Sequence, residues 1–83
     1  MYNITFSKEV EKFLDKLDNN IRERILKGLE RIRIRPESFV EKLVGEPGFK
    51  FRVGDYRVIL DLNDKDLLIL VVEIGHRKNI YKK

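Results

Sequence analysis

Lys50, Arg52 and Arg57 stand in the stretch "FKFRVGDYRVILDL", where two strand patterns meet at Gly54-Asp55. Phe49, Phe51 and Val53 alternate with Lys50 and Arg52, so one face is apolar and the other cationic. A two-residue turn with glycine first pairs Val53 with Tyr56, Phe51 with Val58 and Phe49 with Leu60. On the other face the same register sets Arg52 against Arg57 and Lys50 against Ile59. Like charges directly across a strand pair destabilise it, by a few tenths up to about 1 kcal/mol. Nothing in such a fold requires three cations there. Two readings stand. The cations are solvated and paired with local acids such as Asp61, or they form a face for an anion spread over several residues. The second suits phosphate groups, because arginine offers a planar fork to two phosphate oxygens. RNA fits that face better than a small metabolite, because "GEPG" has neither the lysine nor the following helix of a phosphate-binding loop.

The stretch "VVEIGHRKNIYKK" adds a second cluster, with no acid after Glu73. Residues 1–75 hold 14 Lys/Arg and 14 Asp/Glu, so Arg77, Lys78, Lys82 and Lys83 carry the whole net charge of +4. This end is either a solvated tail or a surface for a phosphate-rich or acidic partner. Arg77 can join the cationic patch. Tyr81 can stack on a base or close the edge of the core. His76 has no second His, no Cys and no clustered acid at ligand spacing, so neither a metal nor a cofactor is expected. There is no cysteine, and neither Ser7 nor Ser38 has a histidine nearby, so no nucleophile triad and no disulfide is expected. No motif points to a glycosidase pair of carboxylates.

The elements that must position these residues follow from periodicity. Tyr2, Ile4 and Phe6 alternate as in a strand. Ser7 is placed to cap a helix over 8–17, with Glu9 in its first turn and Val10, Phe13, Leu14 and Leu17 on one stripe. "DNN" breaks that helix and caps the next, whose stripe is Ile21, Ile25, Leu29 and Ile32. Pro36 is expected to end it near Arg35. So short a break predicts an antiparallel helical hairpin. Residues 37–48 are expected to be a connection anchored to the core by Leu43 and Val44. "NDKD" marks a turn, and "LLILVVEI" is apolar on both faces, as an interior strand should be. The order β-α-α-β-β-β predicts an α+β domain, a mostly antiparallel sheet with the helical hairpin on one face.

A chain of 83 residues is expected to be one domain. Chains near this size bury only about 60% of their extended surface, so the stability margin is small. The N-terminal "MYNITFSKEVEKF" does not have the pattern of a secretory signal, and no apolar run reaches about 18 residues, so no membrane association is expected. The lack of cysteine fits a reducing compartment, and a cytoplasmic location is expected. Dense Glu, Lys and Arg, with no Ala or Gln, matches either heat adaptation or biased base composition.

"KLVGEPGFKFRVGDYRVILDL" followed by "VVEIGHRKNIY" resembles the RelE toxins of the RelE/ParE superfamily. The resemblance spans nearly the whole chain and includes the β-α-α-β-β-β order. It rests on Leu43 and Gly45, the "RVGDYR" hairpin and "GHRKNIY". It implies a ribosome-dependent endoribonuclease that cuts mRNA in the ribosomal A site, halts translation, and is neutralised by a RelB-like antitoxin, acidic and partly disordered. It implies Lys50, Arg52, Arg57, Arg77 and Tyr81 as the catalytic set. Lys50, Arg52, Arg57, His76, Arg77 and Lys78 would then contact RNA. The ribose 2′-OH would attack the neighbouring phosphate, with Arg77 as clamp or acid and Tyr81 as base or stacking group. Tyrosine near pKa 10 and arginine above 12 suit proton transfer poorly at neutral pH. Reliance on the ribosome to orient the RNA is consistent with that, since positioning supplies much of a rate. Two departures from the family are visible. This sequence ends two residues after Tyr81, where the family often continues into a helix, and His76 stands where members vary, close to a position at which some relatives use a histidine as catalytic base. Two alternatives keep the fold without cleavage: a ParE-like inhibitor of DNA gyrase, or a plain RNA-binding domain.

Overall fold

In the computed structural model, which describes residues 1–76, "YNITF" forms β1 (Asn3–Phe6) and Ser7 starts α1 (Lys8–Lys16). The Ser7 hydroxyl accepts from the Val10 amide at 3.2 Å and donates to the Val72 carbonyl at 3.2 Å. One side chain therefore caps the helix and ties it to a strand 65 residues away in sequence. α2 (Asn19–Arg31) follows directly, with Asp18 at its N-cap position but making no side-chain cap bond. Arg22 closes the break between the helices. Its guanidinium donates to the carbonyls of Leu14 at 2.8 Å, Asp15 at 3.3 Å and Leu17 at 2.9 Å, which satisfies the end of α1.

α2 stops four residues before the position expected from Pro36. The reason is non-local. Tyr2 and Arg33 pair through Tyr2 N–H to the Arg33 carbonyl and Arg33 Nε to the Tyr2 carbonyl, both 2.8 Å, which pulls the chain off the helix axis toward β1. Pro36 then begins a short 3₁₀ helix, Pro36–Ser38.

Four further strands complete the sheet: β2 (Glu41–Lys42), β3 (Phe49–Val53), β4 (Tyr56–Asn63) and β5 (Leu68–His76). Their order is β1-β5-β4-β3-β2, with β1 parallel to β5 and every other pair antiparallel. This is the expected α+β architecture, with β5 interior. The β3–β4 register is the expected one throughout, including Arg52 opposite Arg57. Gly54 takes φ +58°, the left-handed conformation its turn position requires.

The connection over 37–48 departs from expectation twice. It contains β2, which pairs with Phe49 and Lys50. Val44 does not anchor it: that side chain is 94% exposed, and Leu43 is half-buried outside the core. The turn is held by backbone instead, through Leu43 N–H to the Gly48 carbonyl at 3.0 Å.

The core lies between the helices and one face of the sheet. Val10 and Leu14 of α1 meet Ile25 and Leu29 of α2 over Val58, Leu60, Ile69 and Val71, each strand residue fully buried. α1 packs over β5 and α2 over β3. In β5 the pairing skips a residue. Ile59 faces Glu73 and Leu60 faces Val71, so Val72 is an extra residue, a β-bulge. Past it, Ile74 rather than Glu73 enters the core.

Two consequences are measurable. Ser7→Ala removes the cap and the tie to Val72, so it should lower stability in urea denaturation by about 1 kcal/mol or somewhat more. The Tyr2 hydroxyl donates to Asp64 at 2.7 Å. That bond, then burial, then the charges of Asp64 and Glu37 push its pKa from 10.0 up to about 12. The folded chain holds this proton where the unfolded chain has released it, so the contribution is complete below pH 10 and is lost as pH rises toward 12. Tyr2→Phe should therefore be less stable than the parent at neutral pH, and the gap should close along the alkaline limb of a stability–pH profile.

Candidate nucleic-acid interface

Alternation along β3 and β4 puts Phe49, Phe51, Val53, Tyr56, Val58 and Leu60 toward the helices. Lys50, Arg52, Arg57, Ile59 and Asp61 then belong to the opposite, outer face. The bulge at Val72 brings Glu73 to this outer face, opposite Ile59. There a groove of about 500 Å³ opens. Its floor includes Lys50, Arg57, Ile59 and Glu73. Its rim is the turn carrying Leu43, Val44, Glu46 and Pro47.

Lys50 and Arg57 share this groove, and both are partly buried. Lys50 Nζ lies 3.6 Å from Glu41 Oε1 of β2, an ion pair on the groove's edge. Arg57 and Glu73 are both engaged by neighbours. Asp61 and Glu46 also line the space. The groove is therefore mixed in charge: two fixed cations set among three carboxylates. Such a site can clamp a phosphate between Lys50 and Arg57 while keeping a carboxylate within the same cleft. Among the described residues no cluster of three or more His, Cys, Asp or Glu could hold a metal, and no helix is long and apolar enough to cross a membrane.

Arg52 does not join them. Its register position is opposite Arg57, but its Nε donates to the Gly54 carbonyl at 3.1 Å, and the side chain lines a different groove, between β3 and α2. His76 is on the other side of the sheet. Beyond the bulge the alternation turns it toward α1, where its ring meets Tyr56 edge-on at 5.6 Å and Tyr56 meets Phe13 at 6.2 Å. Arg77, Lys78 and Tyr81 lie outside the described residues. Glu73, Glu46 and the Leu43–Val44 lip were not among the expected site residues. An acid inside an otherwise apolar strand was the only signal for Glu73, and its direction depends on a bulge that leaves no local pattern.

The model of a known family, described as the ParE toxin of the type II toxin–antitoxin system parDE, matches residues 4–81. The chain belongs to that family. Within the RelE/ParE superfamily this toxin is RelE-type by its relatives. It is 28% identical over 80 residues to the mRNA interferase toxin RelE of Escherichia coli K12, covering 93% of this chain and 84% of that protein. The RelE–RelB complex of the archaeon Pyrococcus horikoshii is similar in structure, at 32% identity and a TM-score of 0.77, covering 94% of this chain and 97% of that one. The RelBE2 toxin–antitoxin complex of Mycobacterium tuberculosis shares the fold at a TM-score of 0.83 and 22% identity, covering 92% and 98%.

The toxin's cross-strand arginines make a direct prediction. Relieving the Arg52–Arg57 juxtaposition by Arg52→Thr, with a β-branched residue in a strand, should stabilise the fold by roughly a few tenths of a kcal/mol. The measurement is a shift of the urea midpoint to higher concentration at unchanged slope.

Proposed function

We propose that this toxin is a ribosome-dependent endoribonuclease that cuts mRNA in the ribosomal A site. The observation that carries the reading is the pairing of Lys50 with Arg57 in one groove on the sheet face away from the helices, in a chain similar to a protein named mRNA interferase toxin RelE. In the reaction, the ribose 2′-oxygen loses its proton and bonds to phosphorus as the P–O5′ bond breaks. The 5′-oxygen takes up a proton, leaving a cyclic phosphate and a 5′-hydroxyl. Negative charge grows on the non-bridging oxygens, and Lys50 and Arg57 supply fixed positive charge against it. Arg77 acts as a further clamp or acid and Tyr81 as base or stacking group, roles that come from the family resemblance. Arg52 contributes from the hairpin edge rather than from within the groove. Lys78 is assigned to RNA contact beside the reaction centre, whereas His76, across the sheet beside Tyr56, would meet RNA only away from Lys50 and Arg57. No metal or cofactor is invoked.

The proposed partner is a RelB-like antitoxin, acidic and partly disordered until bound. Similar structures named as RelE–RelB complexes support this. The proposed place of action is the cytoplasm, where the ribosomes are.

Purified toxin added to ribosomes carrying a defined A-site codon, with mRNA ends mapped by primer extension, tests the reading. A cut inside that codon, absent on free mRNA, is expected. Arg57→Ala should slow it about 10²- to 10³-fold, and Arg77→Ala and Tyr81→Phe should also slow it. Absence of any cut would sink the nuclease reading; gyrase inhibition or RNA binding alone would then explain the fold.

A further inference from the structure

A second cationic groove, of about 680 Å³, runs between α2 and the hairpin end of β3. Arg24, Lys27 and Arg31 of α2 line one wall, and Arg52 the other. All four are exposed. The spacing of 3 and 4 residues puts the three helix cations on one face, over a rise of about 10 Å. Like charges at that spacing cost a helix a few tenths of a kcal/mol per pair. The one acid in the lining, Glu23, stands a turn before Lys27, yet among the described residues no ion pair engages Arg24, Lys27, Arg31 or Arg52. The Arg24 guanidinium lies against Gly54, at the mouth of the groove.

The floor is narrow. Gly28 lets α2 approach β3 so closely that a Cβ there would stand 3.2 Å from Val53 Cγ2 and 3.5 Å from Phe51. Val53 is only 9% exposed, and the half-buried Phe51 is the one aromatic side chain in the lining, so charge rather than apolar surface sets the groove apart. Protein interfaces gain affinity from buried aromatic and apolar anchors, whereas four exposed cations dominate this lining. A phosphate backbone needs no such anchor, because it is held by cations and the release of counterions. β2 pairs with β3 only at Phe49 and Lys50, so β3 beyond Lys50 borders the groove as an open edge.

We propose that this groove is a separate binding site for an RNA backbone, made by Arg24, Lys27, Arg31 and Arg52 on the flank of the domain. It does not depend on cleavage. If the nuclease reading holds, the site grips RNA beyond the scissile bond, and Arg52 stands between the two surfaces.

The test uses the full chain and two fluorescein-labelled probes of equal length, an RNA hairpin and a single-stranded RNA, with binding read by anisotropy from low to moderate salt. The variant is Arg24→Gln/Lys27→Gln/Arg31→Gln, at exposed positions where glutamine keeps helix propensity. The control is Lys8→Gln/Lys12→Gln/Lys16→Gln on α1, which removes the same charge. The groove variant should bind at least one probe about tenfold or more weakly at low salt, with its salt slope reduced by about 2, while the control changes little. The probe more affected tells whether helical or single-stranded RNA fits. Equal losses in variant and control would overturn the proposal in favour of net charge alone. Unchanged binding in the groove variant would overturn it outright. So would a poly-glutamate peptide that binds more tightly than either RNA and is lost in the same variant. Cleavage is scored separately on ribosomes, so a parent chain that binds RNA but cuts nothing would fail the nuclease reading and leave this site standing.

Discussion

The extra residue that β5 carries at Val72 decides what each face of the sheet presents. Ahead of it, Ile69 and Val71 enter the core; beyond it, Ile74 and the His76 ring turn the same way. Without the bulge, simple alternation would drive Glu73 into the apolar interior and swing His76 to the outer face. A buried carboxylate without a partner would be costly enough to exclude that register. The bulge therefore satisfies the core and at the same stroke delivers a carboxylate to the outer groove. Ser7 holds it in place: the side chain that caps α1 also donates to the carbonyl of the bulged residue.

Charge is arranged against local stability in two places. Arg52 faces Arg57 across the hairpin, and Arg24, Lys27 and Arg31 stack along α2. Each arrangement costs the fold a little. The structure keeps Lys50 and Arg57 apart from the α2 cations. Lys50 and Arg57 sit on the outer face among carboxylates, which tempers their field. The α2 cations stand in the open with a single acid nearby. Two fixed cations in a cleft can hold one phosphate between them, whereas an open cationic wall favours a backbone that passes along it. Arg52, tied to the Gly54 carbonyl at the hairpin end, belongs in register to the first set and in position to the second.

Much of the fold was legible because its determinants are close in sequence. Gly54-Asp55 specifies a two-residue turn, and from it every β3–β4 partner follows, down to Arg52 opposite Arg57. Ser7 and the stripe of Val10 and Leu14 mark α1 for the same reason. What failed to show was non-local. α2 ends early because Arg33 pairs with Tyr2, and Pro36, the expected terminator, starts a separate turn. β2 forms because Glu41 and Lys42 find an edge, not because two residues have a strand pattern. Val44 is exposed because backbone bonds, not side-chain burial, hold its turn.

The sequence by itself determined the two helices, the four longer strands and their order, the hairpin register and the presence of Lys50, Arg52 and Arg57 on the polar side of two strands. Turn chemistry and periodicity act over a few residues, so they can be read without a partner in view. Only the tertiary structure decided which of those cations share a cleft, that Glu73 joins Lys50 and Arg57, that His76 lies across the sheet beside Tyr56, and that Arg52 meets α2. Those outcomes turn on a one-residue bulge, on a glycine-permitted approach of α2 to β3, and on side chains reaching across the sheet. Each is a balance of packing against pairing between segments far apart in the chain, and no window of sequence contains both sides of it.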